Sequence, residues 1–124
     1  MADRFVLYIE DNFHNRRIVN KVLASKGIRV VEAEDGEKGL DMVRELIPPL
    51  VLLDITLPGI DGIEVVKRMK ADDVLRHIPV IAVTASAMRG DRERFLEAGC
   101  DDYLSKPIQV TELAEMVDKH YPAH

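Results

Sequence analysis

Five polar positions in this 124-residue chain have the side chains and the placement to do chemistry. Glu10 and Asp11 stand side by side after the apolar run "FVLYI" (5–9). Asp54 closes "LVLLD" (50–54), Thr84 closes "VIAVT" (80–84), and Lys106 follows "DYLS" (102–105) within "SKP". Adjacent acids repel one another and resist burial. Two unit charges about 4 Å apart cost roughly 4 kcal/mol at an effective dielectric near 20. Three ionised acids brought together therefore cost on the order of 10 kcal/mol, against a total domain stability of roughly 5–15 kcal/mol. A cation or a shared proton must relieve that strain. Lys106 offsets one charge, and a hard divalent ion offsets two; carboxylates and water are the ligands Mg²⁺ prefers. Taken singly, each residue has a plainer reading: acids at a helix start, a turn cap, an ordinary strand threonine, a solvated lysine. The five together, each at the end of an apolar run, point to a site.

The elements that must position them are short. Besides the runs above, "RVVEA" (29–33) reads as a strand. Several runs are nearly continuous in apolar residues, the pattern of parallel strands covered by helices on both faces. Between them, apolar residues recur at helical spacing: Ile18, Val19, Val22 and Leu23; Leu40, Val43 and Ile47; Val65, Val66 and Met69; Leu113, Met116 and Val117. Gly27 in "SKGIR" and Gly99 in "EAGCD" stand where left-handed helix caps are needed. Asp61 with Glu64 resembles a capping box, and Pro48 and Pro49 stop the second helix. The sum is (βα)5, one α/β domain over 1–124 with no linker or repeat, joined by right-handed crossovers. Such sheets bind ligands at the carboxyl ends of their strands, so Glu10, Asp11 and Asp54 are expected to meet there.

Composition narrows the classes. Apolar residues make up 47% and charged residues 31%, with a formal net charge of −5. That balance suits a globular domain and disfavours non-specific nucleic-acid binding. Arg89, Arg92 and Arg94 read as a solvated helix face. No apolar run is long enough to span a bilayer, and "MADRF" lacks a secretory pattern, so a cytoplasmic location without membrane or nucleic-acid partners is expected. The single cysteine, Cys100, reads as a small buried hydrophobe. His14 falls in the first helix, while His77, His120 and His124 read as surface or tail residues, and no pair has metal-ligand spacing.

The set Glu10-Asp11, Asp54, Thr84 and Lys106-Pro107, with "VLLDITLPGIDGIEV", "IPVIAVTASAM" and "EAGCDDYLSKPI", resembles the receiver domain of two-component response regulators over essentially the whole chain. The nearest types are the stand-alone cell-cycle (DivK-like) and chemotaxis (CheY-like) receivers. The resemblance implies a doubly wound, flavodoxin-like sandwich with strand order 2-1-3-4-5. It implies that Asp54 accepts a phosphoryl group from a histidine kinase or histidine phosphotransfer protein. Asp11, Asp54 and the Thr56 carbonyl would bind Mg²⁺, with Mn²⁺ as a substitute, and Glu10 would hold a metal-bound water. Thr84 and Ala85 would meet the phosphoryl group, Lys106 would pair with one of its oxygens, and Tyr103 would be the switch aromatic. The Lys106-Pro107 bond would be cis. A downstream protein would read helix 4, strand 5 and helix 5, with the chain a monomer or a phosphorylation-dependent dimer.

Two positions depart from what fast self-dephosphorylation needs. Thr56 and Ser86 are neither acids nor amides suited to orient an attacking water, so a long-lived acyl phosphate is expected. Pro49 replaces an acid common before the third strand. An aspartate-nucleophile phosphohydrolase of the haloacid dehalogenase type would need a second acid where Thr56 stands. A nucleotide-binding fold would need a Gly-rich loop after the first strand, which is absent, and a receiver that is never phosphorylated would not need the intact acids. No output segment follows the fifth helix, so signalling by contact and no enzymatic turnover are expected.

Overall fold

The computed structural model describes residues 4–56, 60–85 and 91–122, Asp91 and Arg92 by their backbone alone. Ser86, Arg89 and His124, singled out above, lie outside the described residues. Strands β1 (Phe5–Ile9), β2 (Arg29–Ala33), β3 (Val51–Asp54), β4 (Val80–Thr84) and β5 (Asp102–Ser105) alternate with helices α1 (Phe13–Ala24), α2 (Gly36–Leu46), α3 (Gly62–Lys70), α4 (Asp91–Ala98) and α5 (Val110–His120). A 3-10 turn at Leu75–His77 precedes β4. The strands form one parallel sheet in the order β2-β1-β3-β4-β5, as expected. Parallel neighbours put every strand's carboxyl end on the same edge.

Strand alternation splits the core in two. On one face Val6 and Tyr8 of β1, Leu52 of β3, Ile81 and Val83 of β4 and Leu104 of β5 pack under α1 and α5, against Val19, Leu23, Leu113 and Val117. On the other, Leu7, Ile9, Leu53, Val80 and Ala82 pack under α2, α3 and α4, against Leu40, Val43, Val65, Met69 and Phe95. Burying a Leu, Ile or Val side chain is worth about 1.5–3 kcal/mol, which outweighs the weak intrinsic helix propensity of the β-branched residues on α1 and α3.

The expected stops are formed. Gly27 and Gly99 take φ of 75° and 115°, and Ile28 N–H reaches back to Leu23 O and Cys100 N–H to Phe95 O, as a Schellman cap requires. Asp61 accepts the Glu64 N–H at 3.0 Å, forming its half of the expected box. Cys100 is buried, and burial, together with the Asp101 charge, pushes its thiol up to about 12.

Three expectations are corrected. Ile47 does not continue the buried stripe of α2. Pro48 disfavours the right-handed region at the residue before it, so Ile47 turns left-handed at φ 45°, leaves the helix and is 45% exposed. Ile18 is exposed, because the arc of α1 that meets the sheet is filled by Val19, Val22 and Leu23. His120 is not a loose tail residue. It is half-buried, and its Nε2 lies 2.9 Å from Asp102 Oδ2, tying the end of α5 to the start of β5.

The close approach of α3 to β3 is set by Gly62. A Cβ there would lie 2.7 Å from Ile55 Cα and 2.8 Å from Asp54 O, backbone atoms with nowhere to go. Gly62→Ala is therefore expected to cost about 1–3 kcal/mol in urea denaturation, despite alanine's better helix propensity. A second expectation concerns Asp102. Its burial raises its pKa, but the hydrogen bond from His120, the Tyr103 N–H and the charges of His120 and Lys119 together lower it. A carboxyl lowered in the folded state stabilises above its unfolded pKa of about 3.9 and loses that contribution as pH falls through the folded value. Asp102→Asn should thus cost about 1 kcal/mol near neutral pH, and the difference from wild type should vanish in strong acid.

Candidate functional site

The carboxyl edge of the sheet collects the charges. β1 ends at Ile9 and runs straight into Glu10, whose N–H bonds to Ala33 O at 2.9 Å and holds it at the top of the strand. Alternation from Val6 and Tyr8 carries Glu10 onto the α1–α5 face, where it is completely buried. Asp11 follows and is exposed, and Asn12 caps α1 by accepting the Asn15 N–H at 3.0 Å. β3 ends in Asp54, which is 2% exposed and continues the Leu50-Leu52 stripe on the same face. Lys106, just past β5, continues from Leu104. Carboxylate oxygens of Glu10, Asp11 and Asp54 all lie within 4.8 Å of one another.

Lys106 is the counter-charge. Its Nζ lies 3.0 Å from Glu10 Oε1 and 3.3 Å from Asp54 Oδ2. Burial opposes its charge, but hydrogen bonding to Glu10 and the charges of Asp54 and Glu10 outweigh burial and raise its pKa. Glu10 Oε1 also accepts from Tyr8 OH at 3.0 Å and Asn15 Nδ2 at 3.1 Å, while Oε2 accepts the Asp11 and Asn12 N–H groups at 3.1 and 3.3 Å. Burial alone would raise the Glu10 pKa, yet hydrogen bonds from Asp54 and Lys106 and the Lys106 charge pull it well below the ordinary carboxylate range. Asp54 goes the other way. Burial first, then hydrogen bonding to Glu10 and the Glu10 charge, raise it; the Thr56 N–H, 3.0 Å from Oδ1, and Lys106 only partly offset this.

The expected residues divide into two groups. Glu10, Asp11, Asp54 and Lys106 are brought together, with the Thr56 backbone against Asp54. Thr84 is buried at the end of β4, one residue beyond Val83, the partner of Asp54 in the sheet, and Ala85 is exposed next to it. The Lys106-Pro107 bond is cis. Tyr103 stands apart: it is half-buried on the opposite face of the sheet, packed against the α2–α4 core, its ring 6.4 Å from that of Phe95. Three further participants were hidden in the sequence. Tyr8 reads as one more apolar strand residue, and Asn12 and Asn15 as helix-start residues. The signal that could have found Tyr8 is a phenol two residues before a buried acid, on the same face of a strand.

Three carboxylates and one ammonium leave two negative charges on an edge of hard oxygen donors, one of them, Asp11, open to solvent. That donor set fits a small divalent cation with retained water. Of the two buried acids, Asp54 has the fewer donors, the Thr56 N–H and a share of Lys106.

Comparison with known proteins agrees with this geometry. Residues 6–118 match the family described as the response regulator receiver domain. The polar-differentiation response regulator DivK of Brucella anthropi is 44% identical over 115 residues, which are 93% of this chain and 94% of that protein. The crystal structure of a putative response regulator from Chloroflexus aurantiacus superposes with a TM-score of 0.91 at 28% identity, covering 97% of this chain and 98% of that one. The receiver domain of a sensor histidine kinase from Pseudomonas aeruginosa, with a magnesium ion coordinated in its active-site cleft, superposes at 0.88 with 34% identity, covering 98% and 100%. An edge that gathers three acids and a lysine, on a sheet of order 2-1-3-4-5, thus coincides with matches along nearly the whole chain, and the protein belongs to the response regulator receiver family.

Proposed function

We propose that Asp54 accepts a phosphoryl group from a phosphohistidine on a partner kinase or phosphotransfer protein, and that this modification switches a protein-binding surface. The observation that carries this reading is the juxtaposition of a buried Asp54 with Lys106 at 3.3 Å and with two further acids within 4.8 Å. Asp11, Asp54 and the Thr56 carbonyl are the groups that would hold Mg²⁺ or Mn²⁺, with Glu10 behind them holding a metal-bound water. Bound there, the ion would offset the charge that otherwise keeps an anionic phosphoryl group away from a carboxylate.

This chain's own residues do the rest. The Thr56 N–H holds Asp54 Oδ1, leaving Oδ2 to attack phosphorus in line. The Oδ2–P bond forms as the P–N bond of the donor breaks, and the bonding pair leaves on the imidazole nitrogen, which takes up a proton from solvent. Lys106, already at Oδ2, pairs with a phosphoryl oxygen. The Thr84 hydroxyl and the Ala85 backbone meet the other oxygens, contacts that exist only once the group has arrived, and Tyr103 follows Thr84 as the switch. A contact made in only one state is what allows modification to shift an equilibrium. The downstream partner would read α4, β5 and α5. The chain would act in the cytoplasm as a single receiver domain over 1–124, a monomer or a phosphorylation-dependent dimer, undergoing stoichiometric modification without turning over a diffusible substrate. No described helix is long and apolar enough to cross a membrane.

Incubation with acetyl phosphate and Mg²⁺ should add one phosphoryl group by intact mass, with loss of the addition in Asp54→Asn and in excess EDTA. Steady turnover of a small phosphoester, or labelling that survives Asp54→Asn, would overturn the reading. Lys106→Ala should slow labelling by about 100-fold while a folded circular dichroism spectrum is retained. With Thr56 two residues past the acceptor, label on purified protein should persist for hours; loss within a minute would contradict the long-lived acyl phosphate.

A further inference from the structure

Glu10 Oε1 is crowded in a way that the acceptor role alone does not require. It takes Lys106 Nζ at 3.0 Å, Tyr8 OH at 3.0 Å and Asn15 Nδ2 at 3.1 Å, while Oε2 takes two backbone N–H groups. A carboxylate oxygen offers two lone pairs, so three donors on Oε1 are one more than it needs. The surplus has a use if one donor must leave. Lys106 is the donor with a second engagement, bridging from Glu10 to Asp54 Oδ2 at 3.3 Å. Tyr8 and Asn15 are tied to Glu10: the Tyr8 ring is completely buried under α1 and α5, and Asn15 sits in the first turn of α1, whose cap, Asn12, is itself bonded to Glu10.

We propose that Tyr8 and Asn15 form an uncharged clamp on Glu10 Oε1 that keeps this buried oxygen satisfied when Lys106 turns to the phosphoryl group, so that both are positioning residues for the phosphorylated state. This rests on the acceptor reading above. An unsatisfied buried acceptor is costly, and without the clamp Lys106 is held back at Glu10. The clamp carries no charge of its own. The phenol donates a hydrogen bond without adding a cation that would compete with Lys106 or a divalent ion for the carboxylates. In the unmodified protein Lys106 also covers Oε1, so the loss of one clamp donor is felt less there.

The test separates the two states. Mg²⁺ affinity of unmodified protein is measured by amide NMR titration, and affinity for beryllofluoride, a phosphoryl mimic, at saturating Mg²⁺. Tyr8→Phe, which keeps the buried ring, should weaken beryllofluoride binding about tenfold, the scale of lost supporting hydrogen bonds around a site, and change Mg²⁺ affinity less than twofold. Asn15→Ala, in a half-buried position of a helix where alanine has the better helix propensity, should act in the same direction and stands in if Tyr8→Phe does not fold. Unchanged beryllofluoride binding in a folded variant overturns the clamp, and so does an equal fall in both affinities, which would make Tyr8 a support of the metal site in either state. If wild type itself neither binds beryllofluoride nor is labelled at Asp54, the acceptor reading has failed instead.

Discussion

The repulsion between Glu10 and Asp54 is the constraint from which the rest of the molecule follows. Two carboxylates buried at neighbouring strand ends are tolerable only because the environment treats them differently. Glu10 is given every donor within reach and stays ionised. Asp54 is given one backbone N–H and part of one ammonium and is pushed toward its neutral form. A pair forced apart in this way keeps one acid ionised and holds the other nearer its neutral form. Lys106 cannot neutralise both, and the unbalanced charge is what an added cation or an added proton must supply.

Much of this was legible in the sequence because the strands carry it in their alternation. Val6-Tyr8-Glu10, Leu50-Leu52-Asp54 and Leu104-Lys106 are three stripes of one face, each running from core into charge. A parallel sheet aligns those ends without help from any loop, so naming the strands nearly names the site. Helix ends were legible because they are local: Gly27 and Gly99 as stops and Asp61 as a start act through backbone geometry that depends on a few adjacent residues.

What was not legible depends on distance in the chain or on which of two roles a residue takes. Tyr8 belongs to an apolar run by every pattern rule, and only the placement of Glu10 above it turns its hydroxyl into a partner. His120 looks like part of a frayed end until β5 brings Asp102, eighteen residues earlier in the chain, to 2.9 Å. Ile47 fits a helical stripe by spacing, but the ring of Pro48 removes the conformation that the stripe assumes. In each case local propensity and tertiary context pull in different directions, and context wins.

The two faces of the sheet also limit how a change at Asp54 could travel. Glu10, Asp54 and Lys106 continue the stripes under α1 and α5, whereas Val80 and Ala82 place Thr84 in line with the opposite face, the one that holds Tyr103 and Phe95. A displacement passed from Asp54 to α4 must therefore cross the sheet, and the strand ends are where a crossing is short. There Val83 is the partner of Asp54, and Thr84 comes next, its carbonyl bonded to the Lys106 N–H at 2.7 Å. That one hydrogen bond joins the carboxyl end of β4 to the residue that faces Asp54, so displacement of either end is felt by the other. Tyr103, half-buried beside Phe95, lies on the far side of that crossing.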